Sequence, residues 1–461
     1  MGQAVGLSEG HPADLPRARP RELRRAAAGH HPVSAPAPSR TRFGVVYFGI
    51  ALAVIQYIDR VCIAQAMPDI RSDLGITGAQ YDDYAGYVFS AFALAYALFE
   101  IPTGWLGDRF GPRKTLMRVV VWWSFFTAAT GWVRSVASLI LTRFLFGMGE
   151  AGCFPNLTRA FATWLRPEEK VRAQGILWLC ARWGGAVTPI LVALVLARMS
   201  WRSAFGVFGA IGVVWAVFFF RWFRDDPRDH PRVNVAERAL LAGNPPVARH
   251  DAVPWKAFLA SRTTWLLWAQ YFFFSYCWYF YVTWLPTFLR NTYGTTTSKY
   301  ALALLAGIPL FGGGFGNLIA GFFTARLAQA TGSLARARRI LASTGFALAA
   351  GVFLFPAHLH DPLLIMIAMG LASLFGDLSM PCSWGACMDV GGRFAGTYSG
   401  AMNMMGNFGG ALAPAAIGHI LKLTNRDWSV AFYLSAGAYL LAALCWLFID
   451  PVTPLDREDG K

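Results

Sequence analysis

Five charged side chains stand inside long apolar stretches of the sequence: Asp59, Arg60, Arg143, Glu150 and Arg182. A charged side chain at the centre of a bilayer costs about 2.5–3.5 kcal/mol on insertion scales, so a charge kept there needs a reason. A guanidinium stays protonated and presents a planar fork to a carboxylate. A buried carboxyl group can take up and release protons, because desolvation disfavours its charged form. These residue types together suit an anion-binding site that also handles protons.

The spacing of Arg143 and Glu150 restricts what the two side chains can contact. They are seven residues apart, which places them on one helix face about 10 Å apart along the axis. That distance is too long for a direct ion pair unless the helix bends. Each side chain must therefore face another charge or a water-filled cavity. A functional site and a buried structural salt network, such as Asp59 with Arg143, both remain open.

The second half of the sequence supplies amides and aromatic rings more than charges. Tyr279 is the aromatic side chain there that we expect to face a cavity. Asn403 and Asn407 are four residues apart and hence share a helix face. Their amides either bind the polar groups of a substrate or tie helices together. Asp389, near the end of its apolar stretch, is expected to be structural.

The composition indicates a membrane protein. Of the 461 residues, 55% are hydrophobic and 15% are charged, whereas soluble proteins have about 25% charged residues. A bilayer core needs about 20 apolar residues per helix, and the windows 203–220 and 428–449 contain no charged residue. Lipid offers no hydrogen-bond partners, and the apolar runs lack the alternation of barrel strands. The sequence therefore predicts an all-α integral membrane protein.

Twelve transmembrane helices are predicted, in two pseudo-symmetric halves of six. The predicted spans are 43–66, 83–106, 113–133, 137–164, 171–197, 203–223, 262–289, 299–327, 337–357, 361–387, 394–421 and 428–449. The expected divisions of the chain are a basic tail at 1–42, the first half at 43–223, a polar linker at 224–260, the second half at 261–450 and a tail at 451–461.

The placement of charge predicts the orientation. The net charge is +15, and most of the Lys and Arg residues fall in alternate loops and in the N-terminal tail. Positive loops face the cytoplasm, so both termini are expected there. The loop after the first span is instead acidic. This pattern accounts for the positive charge without nucleic acid, and residues 1–42 are expected to be disordered and lack the apolar core of a signal peptide.

The sequence shows little sign of metal, cofactor or enzyme chemistry. The seven cysteines lie in or beside apolar stretches, where a free thiol behaves as a small hydrophobic group. We expect no disulfide, no metal site and no cofactor. The sequence also offers no nucleophile–base arrangement, which argues against an enzyme.

The loop at 104–114 reads GWLGDRFGPRK and resembles the signature loop of the major facilitator superfamily. Its glycines, Gly104, Gly107 and Gly111, permit a tight turn and close helix approach. The resemblance implies that Asp108 and Arg109 latch the two halves in the outward-facing state, with Arg113 in the same gating loop. The equivalent loop of the second half has Ala325 where Asp is common, so the latch is expected to be asymmetric.

Further motifs narrow the resemblance. The segments YIDR at 57–60, RFLFGMGEAG at 143–152 and TWLP at 283–286 are similar to the anion:cation symporter family of bacterial sugar-acid carriers, sialin and the vesicular glutamate transporters. The resemblance implies that Asp59 and Glu150 couple protons. Arg60 and Arg143 then bind substrate or couple it to protons. The expected substrate site comprises Tyr57, Arg60, Arg143, Arg182, Tyr279, Asn403 and Asn407.

Arg182 departs from the family pattern, in which an uncharged polar residue such as Gln is common nearby. The additional cation either favours a more anionic substrate, such as a dicarboxylate, or balances Glu150.

The expected function is proton-coupled symport of a small organic anion, a sugar acid or other carboxylate, by alternating access. The expected form is a monomer in the plasma membrane, the inner membrane of a bacterium. An antiporter that exchanges organic phosphates or carboxylates would use the arginines without requiring the acidic pair. A transporter-like solute sensor would instead carry a folded cytoplasmic extension.

Overall fold

The computed structural model describes residues 2, 37–76, 78–245, 252–293 and 299–455. Parts of the predicted tails, 1–42 and 451–461, and of the predicted linker, 224–260, thus lie outside the described residues. Contacts divide the chain into two units, Met1–Pro38 and Ser39–Lys461. Only a few residues of the first unit are described, and the second contains all of the helices below.

The regular elements of the described residues are helices, which confirms the predicted all-α fold. The α-helices in chain order are α1 (Phe43–Asp73), α2 (Gly78–Phe110), α3 (Pro112–Thr130), α4 (Val136–Glu150), α5 (Cys153–Trp164), α6 (Pro167–Leu196), α7 (Trp201–Trp222), α8 (Val235–Leu241), α9 (Trp255–Ala260), α10 (Arg262–Tyr279), α11 (Leu285–Tyr293), α12 (Lys299–Thr331), α13 (Leu334–Phe353), α14 (Pro362–Asp377), α15 (Met380–Val390), α16 (Ala395–Leu423) and α17 (Trp428–Phe448). A π turn, Phe280–Trp284, joins α10 to α11.

Nine helical stretches among the described residues are long and apolar enough to cross a membrane. Two of the nine are the pairs α4–α5 and α14–α15, each taken as one stretch. The other three predicted spans, 113–133, 262–289 and 394–421, are also helical. The first corresponds to the short α3, and the second to α10 and α11 with the π turn between them. The third corresponds to α16, which contains glycines and amides.

Two membrane-length stretches are interrupted, and a carboxylate ends the first segment of each. α4 ends at Glu150 before α5, and α14 ends at Asp377 before α15. Pro155 and Pro381 lie in the first turn of the second segments, where a missing backbone N–H is tolerated. If the helix continued through either proline, its ring nitrogen would have no hydrogen to donate to the carbonyl oxygen four residues earlier. The interruptions occupy equivalent places in the two halves.

The halves meet along two helix pairs, α2 with α16 and α6 with α12. Glycine brings the backbones together in both pairs. A Cβ added at Gly104 would collide with the carbonyl oxygen of Gly396, and one at Gly175 would lie 2.6 Å from the carbonyl oxygen of Asn317. Small residues at such crossings allow close packing of membrane helices.

The linker, the start of α1 and the segment that follows α17 lie on one side of the bundle, here called the linker side. Arg42 forms ion pairs of 2.9 Å with Glu169 at the start of α6 and with Glu237 of α8. Arg338 Nη1 donates to the carbonyl oxygen of Pro451 at 2.7 Å. These contacts join the start of the first half, the linker and the C-terminal segment on that side.

Candidate functional site

A cavity of about 70 Å³ lies between the two halves. Six of the seven residues predicted to bind substrate contribute to its wall: Tyr57, Arg60, Arg182, Tyr279, Asn403 and Asn407. The remaining wall is largely aromatic and includes Phe154, Trp178, Tyr271 and Trp278. The seventh predicted residue, Arg143, is not among the lining residues. The cavity thus combines two guanidiniums and two amides within an apolar surround, as ligand sites commonly do.

Arg60 connects the cavity to a buried carboxylate. Its Nε lies 2.9 Å from Glu150 Oε1, in an ion pair between α1 and α4. The Glu150 side chain is fully buried, whereas that of Arg60 is 27% exposed. The guanidinium also lies 4.7 Å from the ring centre of Tyr96. Arg60 therefore presents one face to the cavity while Glu150 neutralises it from behind.

Asp59 and Arg143 lie deeper in the first half. Asp59 Oδ2 accepts a hydrogen bond of 3.1 Å from Trp123 Nε1. The Arg143 guanidinium lies 4.0 Å from the ring centre of Phe146, and its Nε and Nη1 have no hydrogen-bond partner among the described residues. Arg143 is an electrostatic neighbour of both Asp59 and Glu150. No ion pair joins Asp59 to Arg143 in the described part of the chain, so their attraction acts without direct contact.

Arg182 pairs with a carboxylate that the sequence analysis did not consider. Its Nη2 lies 2.8 Å from Asp377 Oδ1, across the boundary between the halves. The guanidinium stacks 3.3 Å from the ring centre of Trp278. Asn317 Nδ2 also donates to Asp377 Oδ1 at 3.1 Å. Arg182 thus balances Asp377, and of the two alternatives given for it, balance of Glu150 is wrong because Glu150 pairs with Arg60.

The amides of α16 also face an unexpected partner. Asn403 Nδ2 donates to Glu100 Oε1, and Asn407 Nδ2 donates to the same oxygen at 3.2 Å. Glu100 is fully buried on α2. The sequence does contain a signal for it, because Glu100 is a charge within an apolar run like the five residues considered first. The same signal identifies Asp377.

The predicted latch residue Asp108 does join the halves. Its carboxylate accepts hydrogen bonds from the backbone N–H groups of Gly396 at 3.0 Å and Thr397 at 2.6 Å, and from the Thr397 hydroxyl at 2.7 Å. Arg159 Nε lies 3.4 Å from the same carboxylate. Arg109 is exposed and stacks on Trp105 of its own helix, 5.0 Å from the ring centre. The cation beside Asp108 is therefore Arg159, and the role expected of Arg109 is wrong in this conformation.

The rest of the gating loop is held within the first half. Gly111 has φ +84°, a conformation that favours glycine, and a Cβ there would press on Asp225. The backbone N–H of Arg113 donates to Asp225 Oδ1 at 2.8 Å, and its guanidinium donates to the Phe220 carbonyl oxygen at 2.7 Å. Gly107 leaves room for the amide of Asn156. The contacts of Gly111 and Arg113 fix the loop against the end of α7 and the residues after it, Gly107 packs on α5, and Gly104 provides the contact with α16.

A second link on the linker side joins α6 of the first half to α15 of the second half. Lys170 Nζ of α6 lies 2.7 Å from Asp389 Oδ1 of α15, and Arg338 Nη2 lies 2.7 Å from the other oxygen. Asp389 thus has a packing role, as expected. The two links are chemically different, in agreement with the asymmetric latch expected from Ala325.

The fold and this site define a two-half membrane transporter. A model of the family described as "Major Facilitator Superfamily" matches residues 49–414, and the chain belongs to that superfamily. A protein of Cupriavidus necator named "Probable sulfoacetate transporter SauU" is 34% identical over 428 residues, covering 92% of this chain and 97% of the relative. A "D-galactonate transporter" of Escherichia coli O6:H1 is 29% identical, covering 91% and 97%.

The solved structures agree with the fold. The proton:xylose symporter XylE superposes with a TM-score of 0.69 at 11% identity, covering 89% of this chain and 97% of that one. The human organic anion transporter MFSD10 gives a TM-score of 0.67 at 15% identity, covering 89% and 100%. The resemblance to organic-anion carriers that the motifs predicted is confirmed by the curated relatives.

Proposed function

We propose that the protein is a proton-coupled symporter of a small organic anion that works by alternating access. The observation that carries this proposal is the Arg60–Glu150 ion pair at the cavity wall. Arg60 is a permanent cation that an anion in the cavity can reach. Its partner, Glu150, is a carboxyl group that a proton can neutralise. Protonation of Glu150 therefore changes how strongly Arg60 attracts an anion, and a bound anion changes how strongly Glu150 holds a proton.

Charge balance links the anion to the proton. When ionised, Asp59 and Glu150 balance Arg60 and Arg143, so this buried cluster has no net charge. A lone anion in the cavity would add an uncompensated buried charge, which is costly. A proton on Glu150 frees the charge of Arg60, and the incoming anion then restores neutrality. The favoured stoichiometry is one proton for each negative charge of the substrate.

Asp59 offers a second position for a proton, separate from the cavity. It accepts a hydrogen bond from Trp123, and its charge interacts with those of Arg143 and Glu150. A proton that passes between Asp59 and Glu150 would leave the charge of this cluster unchanged while altering which arginine is neutralised. Arg143 then acts on protons more than on the substrate, because it does not line the cavity.

The size of the cavity supports a short anion. A volume of about 70 Å³ accommodates on the order of five water molecules. In this conformation, that space is closer in size to a two- or three-carbon acid than to a six-carbon sugar acid. The relative with 34% identity is named for sulfoacetate, a short molecule with an anionic group at each end. Sulfoacetate is therefore the first substrate to test.

The proposed setting is the inner membrane of a bacterium, with the linker side in the cytoplasm and the protein as a monomer. The placement of Lys and Arg supports that orientation. In the structure, α2 with α16 and α6 with α15 are joined on the linker side by Asp108 and Lys170. The conformation is then one that is closed towards the cytoplasm.

The proposal is tested by uptake into proteoliposomes of radiolabelled sulfoacetate, D-galactonate and short dicarboxylates, with and without an inward proton gradient. Accumulation that depends on the gradient is expected for the wild type. Glu150→Gln should retain exchange of labelled for unlabelled anion but lose gradient-driven accumulation, because Gln cannot take up the proton. Wild-type uptake that requires anion inside the vesicles and does not respond to the proton gradient would favour an antiporter, and gradient-driven accumulation by Glu150→Gln would remove Glu150 from the coupling.

A further inference from the structure

Glu100 is a buried carboxylate in the centre of the bundle that the mechanism above does not use. It lies on α2 of the first half and accepts hydrogen bonds from Asn403 and Asn407 of α16, in the second half. Both asparagines line the cavity, whereas Glu100 lies behind them. A carboxylate in this place determines what the cavity wall presents to a substrate.

The amide groups are turned away from an incoming anion. Both Nδ2 atoms, the groups that could donate to an anion, are directed to Glu100 Oε1. The other end of Asn407 is also occupied, since the Tyr279 hydroxyl donates to its Oδ1 at 3.3 Å. An ionised carboxyl group only accepts hydrogen bonds, so it holds both amides in this orientation.

The surroundings of Glu100 leave its charge poorly balanced. Its titratable neighbours are Arg60 of α1, Tyr96 of α2, and Tyr271 and Tyr279 of α10. Arg60 is the one cation among these four, and it already forms an ion pair with Glu150. The asparagines of α16 contribute dipoles but no charge.

The charge of the whole centre leads to the same conclusion. The seven charged residues described above for this region are Asp59, Arg60, Glu100, Arg143, Glu150, Arg182 and Asp377. When all are ionised, four carboxylates face three guanidiniums, which leaves a net charge of −1. An anion entering this set meets an excess of negative charge in a region of low dielectric constant. One more proton than the Arg60–Glu150 pair requires restores the balance.

We propose that Glu100 must take up a proton before the anion binds, and that its neutral form turns one of the two amides, Asn403 or Asn407, towards the cavity. A protonated carboxyl group donates one O–H, which an amide oxygen accepts. The N–H group of that amide is then free to donate to the anion. The proton enters from the side that admits the anion and leaves with it, so Glu100 adds one proton to the coupled set. This inference rests on the proposed symport.

Two variants separate charge from shape. Glu100→Gln has nearly the same size but stays neutral, and Glu100→Asp retains the charge on a shorter side chain. Sulfoacetate is the probe, and its half-saturation concentration for exchange is measured in proteoliposomes at equal pH on both sides, across a range from mildly acidic to mildly alkaline. For each proton that must bind together with the anion, the apparent affinity falls by up to about tenfold for every unit by which the pH rises. The apparent affinity of Glu100→Gln should therefore depend on pH as if one proton fewer were required. Glu100→Asp should keep the wild-type pH dependence.

A measurement without substrate completes the test. Infrared difference spectroscopy of the purified protein follows the C=O stretching band of protonated carboxyl groups as pH changes. A component of this band in the wild type should be missing from Glu100→Gln. If Glu100→Gln keeps both the wild-type affinity slope and the whole infrared band, the inference is overturned and symport stands. If wild-type uptake is independent of protons, the proposed function fails, and the inference fails with it whatever the infrared band shows.

Discussion

The two interrupted stretches, α4–α5 and α14–α15, occupy equivalent places but pair their carboxylates differently. Glu150, at the end of α4, binds Arg60 within the same half. Asp377, at the end of α14, binds Arg182 of the opposite half. In the proposed alternating access, a rocking motion between the halves leaves both members of the first pair in one half, whereas it acts directly on the second pair. In the proposed function, one repeated element therefore serves proton coupling in the first half and contact between the halves in the second.

The largest expected effect comes from breaking the pair between the halves. Asp377→Asn leaves the buried Arg182 guanidinium without its counter-charge, and loss of one partner of a buried pair costs about 3–5 kcal/mol. Thermal unfolding in detergent should show a marked loss of stability. The double variant Asp377→Asn with Arg182→Gln should recover much of that loss, because no charge is stranded. Equal loss in the single and double variants would contradict the pairing.

Asp108→Asn should loosen the linker side, and it also removes the carboxylate that lies 3.4 Å from the buried Arg159 guanidinium. Hydrogen bonds to a charged group contribute about 1.5–3 kcal/mol, and the neutral amide retains part of them. Spin labels on the exposed residues Lys114 and Arg336 measure the separation of the halves once Cys180 and Cys445, which are partly exposed, are replaced. The variant should show a larger population of long distances. An unchanged distribution would show that Asp108 does not hold the halves together.

Lys170→Gln should have a smaller effect, because Asp389 keeps its ion pair with Arg338. We expect a loss of about 1 kcal/mol in the free energy of unfolding, well below that of Asp377→Asn. Urea titration in mild detergent gives the comparison. Arg338→Gln, which removes a fully buried cation, is the matched variant and should cost more than Lys170→Gln.

Arg109→Ala should have the smallest effect. The side chain is exposed, and it stacks on Trp105 of its own helix. Stability should change by less than about 0.5 kcal/mol, as at other exposed positions, and uptake should stay near that of the wild type. Arg159→Ala, which removes the cation beside Asp108, should impair both. The reverse ranking would restore Arg109 as the latch residue.

The sequence predicted the helical architecture and most of the cavity wall for physical reasons that are local. A bilayer requires long apolar helices, and a charge within one is easily seen, which identified Arg60, Glu150 and Arg182. The four-residue spacing placed Asn403 and Asn407 on one face. Partners were harder to predict, because they come from helices distant in the chain.

The failures share that cause. Arg182 is 195 residues away from Asp377, and Glu100 is more than 300 residues away from both of its asparagines. Only the crossing of α2 with α16 and the packing of α6 against the second half bring these groups together. The family resemblance assigned the latch cation to Arg109 by its position in the loop. The structure gives that place to Arg159, from a helix that packs behind the loop.

Asp108 provides the N-terminus of α16 with a cap from the other half of the protein. It accepts from Gly396 and Thr397, two of the first N–H groups of that helix, which have no partner within it. Loss of such a cap typically costs about 1 kcal/mol, close to a fivefold change in population. Whenever the halves part on the linker side, α16 frays unless water replaces the carboxylate. In the proposed transport cycle, an empty carrier is thereby biased to wait facing outward, which limits futile cycling and leak of the proton gradient.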